Sequence, residues 1–178
     1  SELVERALGG ESIALVSDAG TPLVADPGYR LVEAALRAGV AVVPIPGPSA
    51  PIAFLSASGL PTGRFTFVGF LPARQSARRR ELAPLAGRAE TLLFFETARR
   101  LAAALADMTE IFGARRAAIG RELTKRFEEI LHGDLPELAR AVAERDARGE
   151  LKGEVVVGVA GCGDSGTGRV AVTGTSPL

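Results

Sequence analysis

The chain has 178 residues, 47% of them hydrophobic and 24% charged, enough apolar material for one ordinary domain or two small ones in a soluble globular fold. One cysteine, Cys162, and one histidine, His132, exclude an internal disulfide and leave no ligand set for a protein-only zinc site, so no metal is expected. No apolar run reaches the roughly eighteen residues of a membrane span, and the first residues (SELVERALGGES) lack the basic start and apolar stretch of a secretory signal. The expectation is a cytoplasmic protein with no membrane partner.

The net charge is zero, yet it is unevenly spread. Residues 1–63 carry six acids against three arginines, and residues 64–161 carry fifteen Arg and two Lys against fourteen acids. A polyanion would therefore prefer the second part. Most of the surplus sits at Arg74, Arg78, Arg79 and Arg80, a run that equally fits the solvated start of a helix.

In chain order, residues 12–17 (SIALVS) read as a buried strand that runs into the loop Ser17-Asp18-Ala19-Gly20-Thr21-Pro22. Residues 29–38 place Leu31, Ala34, Ala35 and Ala38 on one helical face, with Gly39 as the stop. Residues 40–45 then read as a second buried strand, so this part is expected to be an open parallel α/β sheet. Pro48 and Pro51 fit only a first helical turn, which puts a short helix from about there to Ser58. Beyond Pro61-Thr62-Gly63, the expected boundary, strands are predicted at 64–70, 90–95, 116–121, 126–131 and 154–160. Several look paired with their sequence neighbours in antiparallel fashion. Helices are predicted at 78–85, 99–112 and 135–147, and residues 162–178 read as a disordered tail. The organisation expected is thus 1–63, 64–161 and a tail.

Two loops fall where a parallel sheet holds a ligand, at the C-terminal ends of successive strands. In the first, Asp18 can accept hydrogen bonds from a ribose or an amine, while Ala19 and Gly20 let a ligand approach the backbone; an Asx-type turn fits the same residues. In the second, Pro46-Gly47-Pro48-Ser49-Ala50 opens a helix whose first N–H groups could meet a ligand; an N-cap by Ser49 or its neighbours fits the same residues. Gly161-Cys162-Gly163-Asp164-Ser165-Gly166 matches the dinucleotide pattern GxGxxG, but only twelve residues without a helical pattern follow it, and the match is rejected.

The segment Arg121-Glu122-Leu123-Thr124-Lys125-Arg126-Phe127-Glu128-Glu129 concentrates functional groups in an expected hairpin loop. Against nineteen Arg, the chain uses Lys only at 125 and 152. A lysine can lose its proton where an arginine cannot, so Lys125 is the better candidate for polarising or deprotonating a hydroxyl; a solvated surface hairpin is the alternative. Glu96 and Glu154 lie at the ends of predicted strands.

These segments, in this order, resemble the ribosomal RNA small-subunit methyltransferase I family of the tetrapyrrole-methylase superfamily. The resemblance runs through ALVSDAGTPLVADPGY, VVPIPGPSAPIAFLSASGLPTGRFTFVGFLP, LLFFETARRL, GRELTKRFEEILHGDL and KGEVVVGVAG. It implies a two-domain α/β fold, with a partial parallel N-terminal domain, a mixed-sheet C-terminal domain, and S-adenosylmethionine in the cleft between them. The implied reaction is 2′-O-methylation of a cytidine in the decoding region of small-subunit ribosomal RNA, with the 30S subunit as partner and a homodimer as the assembly. Cofactor contact would fall on Asp18, Ala19, Gly20, Thr21, Pro48, Ser49, Ala50 and Glu96. Catalytic or substrate-positioning roles would fall on Glu122 and Lys125, and RNA phosphates on Arg74, Arg78, Arg79 and Arg80.

Two departures from the family pattern stand out. Its usual Glu-Ser-x-His-Arg is here Glu96-Thr97-Ala98-Arg99-Arg100, without the histidine. An opening strand, a Thr-Pro-Ile-Gly-Asn-Leu loop and a Glu-Asp-Thr-Arg segment do not occur, so about a quarter to a third of a family member is expected to be missing and the sheet to have an exposed edge. A small-molecule tetrapyrrole methylase, or a catalytically incomplete fragment, are the competing readings.

Overall fold

A computed structural model of the chain describes residues 1–164, so the expected tail from residue 165 onward, with the end of the GxGxxG-like run, lies outside the described residues. The chain divides into two compact units, residues 1–49 and the chain from Ala50 onward.

In the first unit, α1 (Glu2–Leu8) packs against α2 (Tyr29–Arg37), and Val4 and Ala35 are its buried apolar residues. Helix α2 ends as its sequence predicts. Gly39 takes φ +77°, and the Val40 N–H reaches back to the Ala35 carbonyl at 3.0 Å, closing the last turn. The two predicted strands are a correction, since residues 11–17 and 40–49 form neither helix nor strand. A strand exists only when a neighbour takes up its backbone hydrogen bonds, and these runs find none among the described residues. Their apolar side chains stay exposed, with Val16 at 80%, Val43 at 74% and Ile45 at 81%.

The second unit is a five-stranded mixed sheet with helices on both faces. Its strands are β1 (Phe65–Phe70), β2 (Thr91–Thr97), β3 (Arg116–Arg121), β4 (Glu129–Asp134) and β5 (Glu154–Val159), in the order β1-β2-β5-β3-β4. The sequence-adjacent pairing expected above holds for the β3–β4 hairpin. β1 and β2 instead run parallel, joined by α4 (Gln75–Leu82) and a short 3-10 turn, while β5 inserts antiparallel to both β2 and β3. The inner strands read TLLFFET, RAAIGR and EVVVGV because both of their faces are covered. On one face, Leu92, Phe94, Ile119, Val155 and Val157 meet α5 (Ala98–Phe112) and α6 (Leu135–Ala147) through Leu101, Leu105, Met108, Leu135 and Val142.

On the other face lies α3 (Ala50–Ala57), whose sequence APIAFLSA is apolar nearly all round and so needs burial. Phe54, Leu55 and Leu60 pack there against Leu93, Ala118 and Val156. Residues 50–63, placed before the boundary by sequence, thus build the second unit's core. Phe54 lies over Gly120 and Gly158 on adjacent strands, and a Cβ at those positions would come within 2.6 and 2.7 Å of its ring.

Candidate functional site

The two loops expected to hold a cofactor meet. The Thr21 hydroxyl donates to the Pro48 carbonyl at 2.8 Å, tying the segment after Asp18 to the segment before α3. The Ser17 hydroxyl turns inward onto the carbonyls of Ala19 and Gly20, at 3.0 and 3.2 Å, which tightens the loop. Gly20 has φ +78°, and two residues with side chains, Leu23 and Ala25, also sit at positive φ, +72° and +60°. Such conformations cost of order 1–3 kcal/mol each and concentrate where a ligand or a switch is served. Asp18, Ala19, Pro48 and Ala50 are exposed, while Thr21 and Ser49 are half-buried. An exposed carboxylate beside small residues and accessible backbone is a donor and acceptor set that fits a nucleoside-like group.

A second collection of groups lies at one end of the five-stranded sheet. The register pairs Phe70 with Phe95, Thr97 with Glu154, and Arg121 with both Val155 and Glu129. The C-terminal ends of β1, β2 and β3 and the starts of β4 and β5 therefore face the same way. Glu96, one residue from the end of β2, is buried at 1% exposure and shares the strand face of Leu92 and Phe94, which α5 and α6 cover. One of its oxygens accepts from the Thr97 N–H at 2.8 Å and lies 3.2 Å from Arg100 Nε; the other has no partner. Burial pushes the Glu96 carboxyl up, against the pull of Thr97 and Arg100. Arg100 in turn donates to the Leu71 carbonyl, so Glu96 and Arg100 together hold the loop that leaves β1. The Glu96 carboxylate is enclosed, unlike that of Asp18.

The β3–β4 connection carries Glu122 and Lys125. Lys125 Nζ lies 3.1 Å from Glu122 Oε1 and 2.9 Å from Glu154 Oε2, and the Glu154 N–H donates to the same Glu122 oxygen at 2.9 Å. Glu122 and Thr124 adopt φ +48° and +65°. The loop is pinned by Lys125 N–H to the Glu122 carbonyl and Glu128 N–H to the Lys125 carbonyl. Hydrogen bonds from Lys125 to Glu154 and Glu122 raise the ammonium pKa above the ordinary lysine value. The Glu154 N–H and Lys125 hold Glu122 below the ordinary carboxylate value. Both carboxylates favour the charged ammonium, which suits polarising a hydroxyl better than deprotonating one.

The arginine run divides. Arg74 and Arg80 are exposed, as a phosphate contact requires. Arg78 is 3% exposed and pairs with the 1% exposed Asp107 of α5, with Arg78 Nε 2.7 Å from Asp107 Oδ2; its remaining nitrogens reach the Ala73 and Ala103 carbonyls. Arg79 binds Asp107 at 2.7 Å and also Glu110. The phosphate role expected of Arg78 is thus corrected, because its guanidinium is spent inside the α4–α5 contact, and Arg79 is largely committed to the same pair. Burial alone would raise the Asp107 carboxyl, but hydrogen bonds from Arg79, Gln75 and Arg78 outweigh it and hold the group below its ordinary value. Sequence reading did not single out Asp107 or Arg100. The available signal for Asp107 was an acid three residues from Ala104, on the apolar stripe of α5. Among the described residues, no group of three or more His, Cys, Asp or Glu side chains is placed to hold a metal ion.

The first unit thus offers two joined, small-residue loops, and the second an α/β mixed sheet that gathers charged groups at one end. The sequence pattern of the Tetrapyrrole (Corrin/Porphyrin) Methylases matches residues 1–139, and the chain belongs to that family. Ribosomal RNA small subunit methyltransferase I of Xylella fastidiosa is 51% identical over 169 residues, covering 94% of this chain and 61% of the relative. The protein of the same description from Mesorhizobium japonicum is 55% identical over 157 residues, covering 88% of this chain and 52% of the relative. The chain therefore spans somewhat over half the length of the curated relatives it matches. Among solved structures, the methyltransferase CobJ aligns over 94% of this chain and 72% of its own, at TM-score 0.65 and 19% identity. Uroporphyrin-III C-methyl transferase from Thermus thermophilus, complexed with S-adenyl homocysteine, aligns over 88% of this chain and 70% of its own, at TM-score 0.53 and 20% identity. At such identities the likeness is one of fold.

Proposed function

We propose that this protein is an S-adenosylmethionine-dependent methyltransferase acting on the ribose 2′-hydroxyl of a cytidine in the decoding region of small-subunit ribosomal RNA. The observation that carries the reading is identity of about half, over about nine-tenths of the chain, to relatives described as ribosomal RNA small subunit methyltransferase I. Two structural features support it. The loops at 17–22 and 46–49, joined by the Thr21–Pro48 hydrogen bond, offer the exposed Asp18 carboxylate and close backbone access to a nucleoside-like cofactor. When bound, that cofactor supplies a methyl group already activated by a sulfonium, and the O–C bond forms as the C–S bond breaks. Lys125, whose charged form Glu154 and Glu122 favour, can donate a hydrogen bond to the ribose 2′-oxygen and so ease loss of the hydroxyl proton to solvent as that oxygen takes the methyl group. Glu122 orients Lys125 and fixes the strained loop that presents it. Arg74 and Arg80, exposed on the helix side, are the members of the arginine run left to meet phosphates. The tetrapyrrole reading rests on the family's description and on solved structures about 20% identical. Total RNA from a strain lacking the gene is expected to lose a 2′-O-methylcytidine from its small-subunit RNA; an unchanged ribose-methylation pattern would refute the assignment.

A further inference from the structure

The loop that carries Lys125 also carries an unspent aromatic and an unspent cation, side by side. Phe127 is 65% exposed in a chain with eight Phe, one Tyr and no Trp. The other half-exposed phenylalanine at this end of the sheet, Phe70, packs against Phe95 with ring centroids 5.4 Å apart, whereas the Phe127 ring meets no aromatic ring among the described residues. Beside the ring stands Arg126, whose guanidinium carbon lies 5.6 Å from the ring centroid, within cation–π range. Neighbouring cations are committed. Arg121 pairs with Glu129, and Lys125 with Glu122 and Glu154, but Arg126 makes no ion pair among the described residues. The backbone around the pair is held by Lys125 N–H to Glu122, Glu128 N–H to Lys125, and the Thr124 N–H to Glu128 Oε2 at 2.5 Å. The loop thus presents a large apolar ring to water on a hydrogen-bonded backbone.

We infer that Phe127 and Arg126 form a nucleobase-stacking platform for the RNA substrate, the ring stacking on a base next to the target nucleotide and the guanidinium meeting the adjoining phosphate. This rests on the RNA reading above. A flat π-face and a free guanidinium are the two groups by which proteins take hold of single-stranded RNA, and a ribose that is to be methylated must be drawn out of its stack. The platform lies two residues from Lys125, so a base seated on it brings its neighbour's ribose to the polarising cation.

The test measures binding of a short, single-stranded, cytidine-containing RNA by fluorescence anisotropy, with wild-type chain and with Phe127→Ala, Phe127→Leu, Phe127→Trp and Arg126→Ala. Alanine and leucine are expected to weaken binding about tenfold or more, and tryptophan to keep it within about threefold of wild type, since stacking needs a π-face and not merely apolar bulk. Arg126→Ala should lower the salt dependence of the affinity by about one phosphate contact. The KM for RNA in methyl transfer should rise with the Phe127→Ala change while cofactor affinity stays the same, a split that a structural role would not produce. Circular dichroism checks that the exposed substitutions leave the fold intact. Equal RNA affinity for wild type and Phe127→Leu overturns the platform, as does a Phe127→Ala effect confined to self-association. A wild-type chain with no RNA affinity at any salt concentration overturns the RNA reading beneath it.

Discussion

Lys125 shows what a residue's surroundings add to its identity. Its type and its rarity in an arginine-rich chain drew attention to it, but its protonation is decided by Glu154 on a strand twenty-nine positions away and by Glu122. Because folding raises its pKa, its ion pairs contribute fully below the pKa of an unfolded lysine and are lost only as pH rises through the higher folded value. Near neutral pH it stays charged. Lys125→Arg should then retain most methyl transfer, and Lys125→Ala should lose about a hundredfold in kcat, as when a charge-stabilising donor is removed. Steady-state rates across neutral pH decide it, since a general base at this position would make the arginine variant as inactive as the alanine one. The motif RELTK was legible in the sequence. The Glu154 partner was not, because nothing in the local pattern says that β5 will insert beside β3.

At the scale of elements, the α4–α5 contact turns on a buried charge cluster. Asp107 sits under Arg78 and Arg79 with Gln75 beside it, and removing the carboxylate would leave Arg78 charged and enclosed. Asp107→Asn is expected to cost about 3–5 kcal/mol, the usual cost of breaking a buried pair from one side, whereas Arg80→Ala should change stability by less than about 0.5 kcal/mol. Urea denaturation at neutral pH measures both. Folding lowers the Asp107 pKa, so its contribution is present above the pKa of an unfolded aspartate and fades as pH falls through the lower folded value. The Asp107→Asn variant should accordingly lose less stability on acidification than wild type. Helices α5 and α6 were readable from apolar spacing and stop signals, α5 ending at Phe112 before Gly113 and α6 spanning Leu135–Ala147, whereas the helix expected at 78–85 instead starts at Gln75 and gives way to a 3-10 turn at Ala83. The role of Arg78 was not readable, because a run of four arginines looks alike whether it is solvated or buried against an acid on the next helix.

For the whole molecule, the two units differ in how far their sequence is satisfied. In the second, each inner strand is paired on both sides and covered on both faces. In the first, residues 12–17 and 40–45 carry the composition of buried strands and yet pair with nothing described. Period and composition announce a strand, but only a neighbour makes one, and so those predictions failed where the identical reasoning succeeded at β2 and β5. Hydrogen exchange should follow this division, with amides of β2, β3 and β5 protected and those of residues 12–17 and 40–45 exchanging rapidly. Equal protection in both would contradict the description of the first unit. Family membership was legible because five ordered motifs carry it, whereas the meeting of Thr21 with Pro48 needed coordinates. The most direct measurement of the central claim incubates the protein with methyl-labelled S-adenosylmethionine and small ribosomal subunits from a strain lacking the gene, then digests the RNA to nucleosides. The account predicts label in 2′-O-methylcytidine. Label on a base, or transfer to a tetrapyrrole with none to RNA, would contradict it.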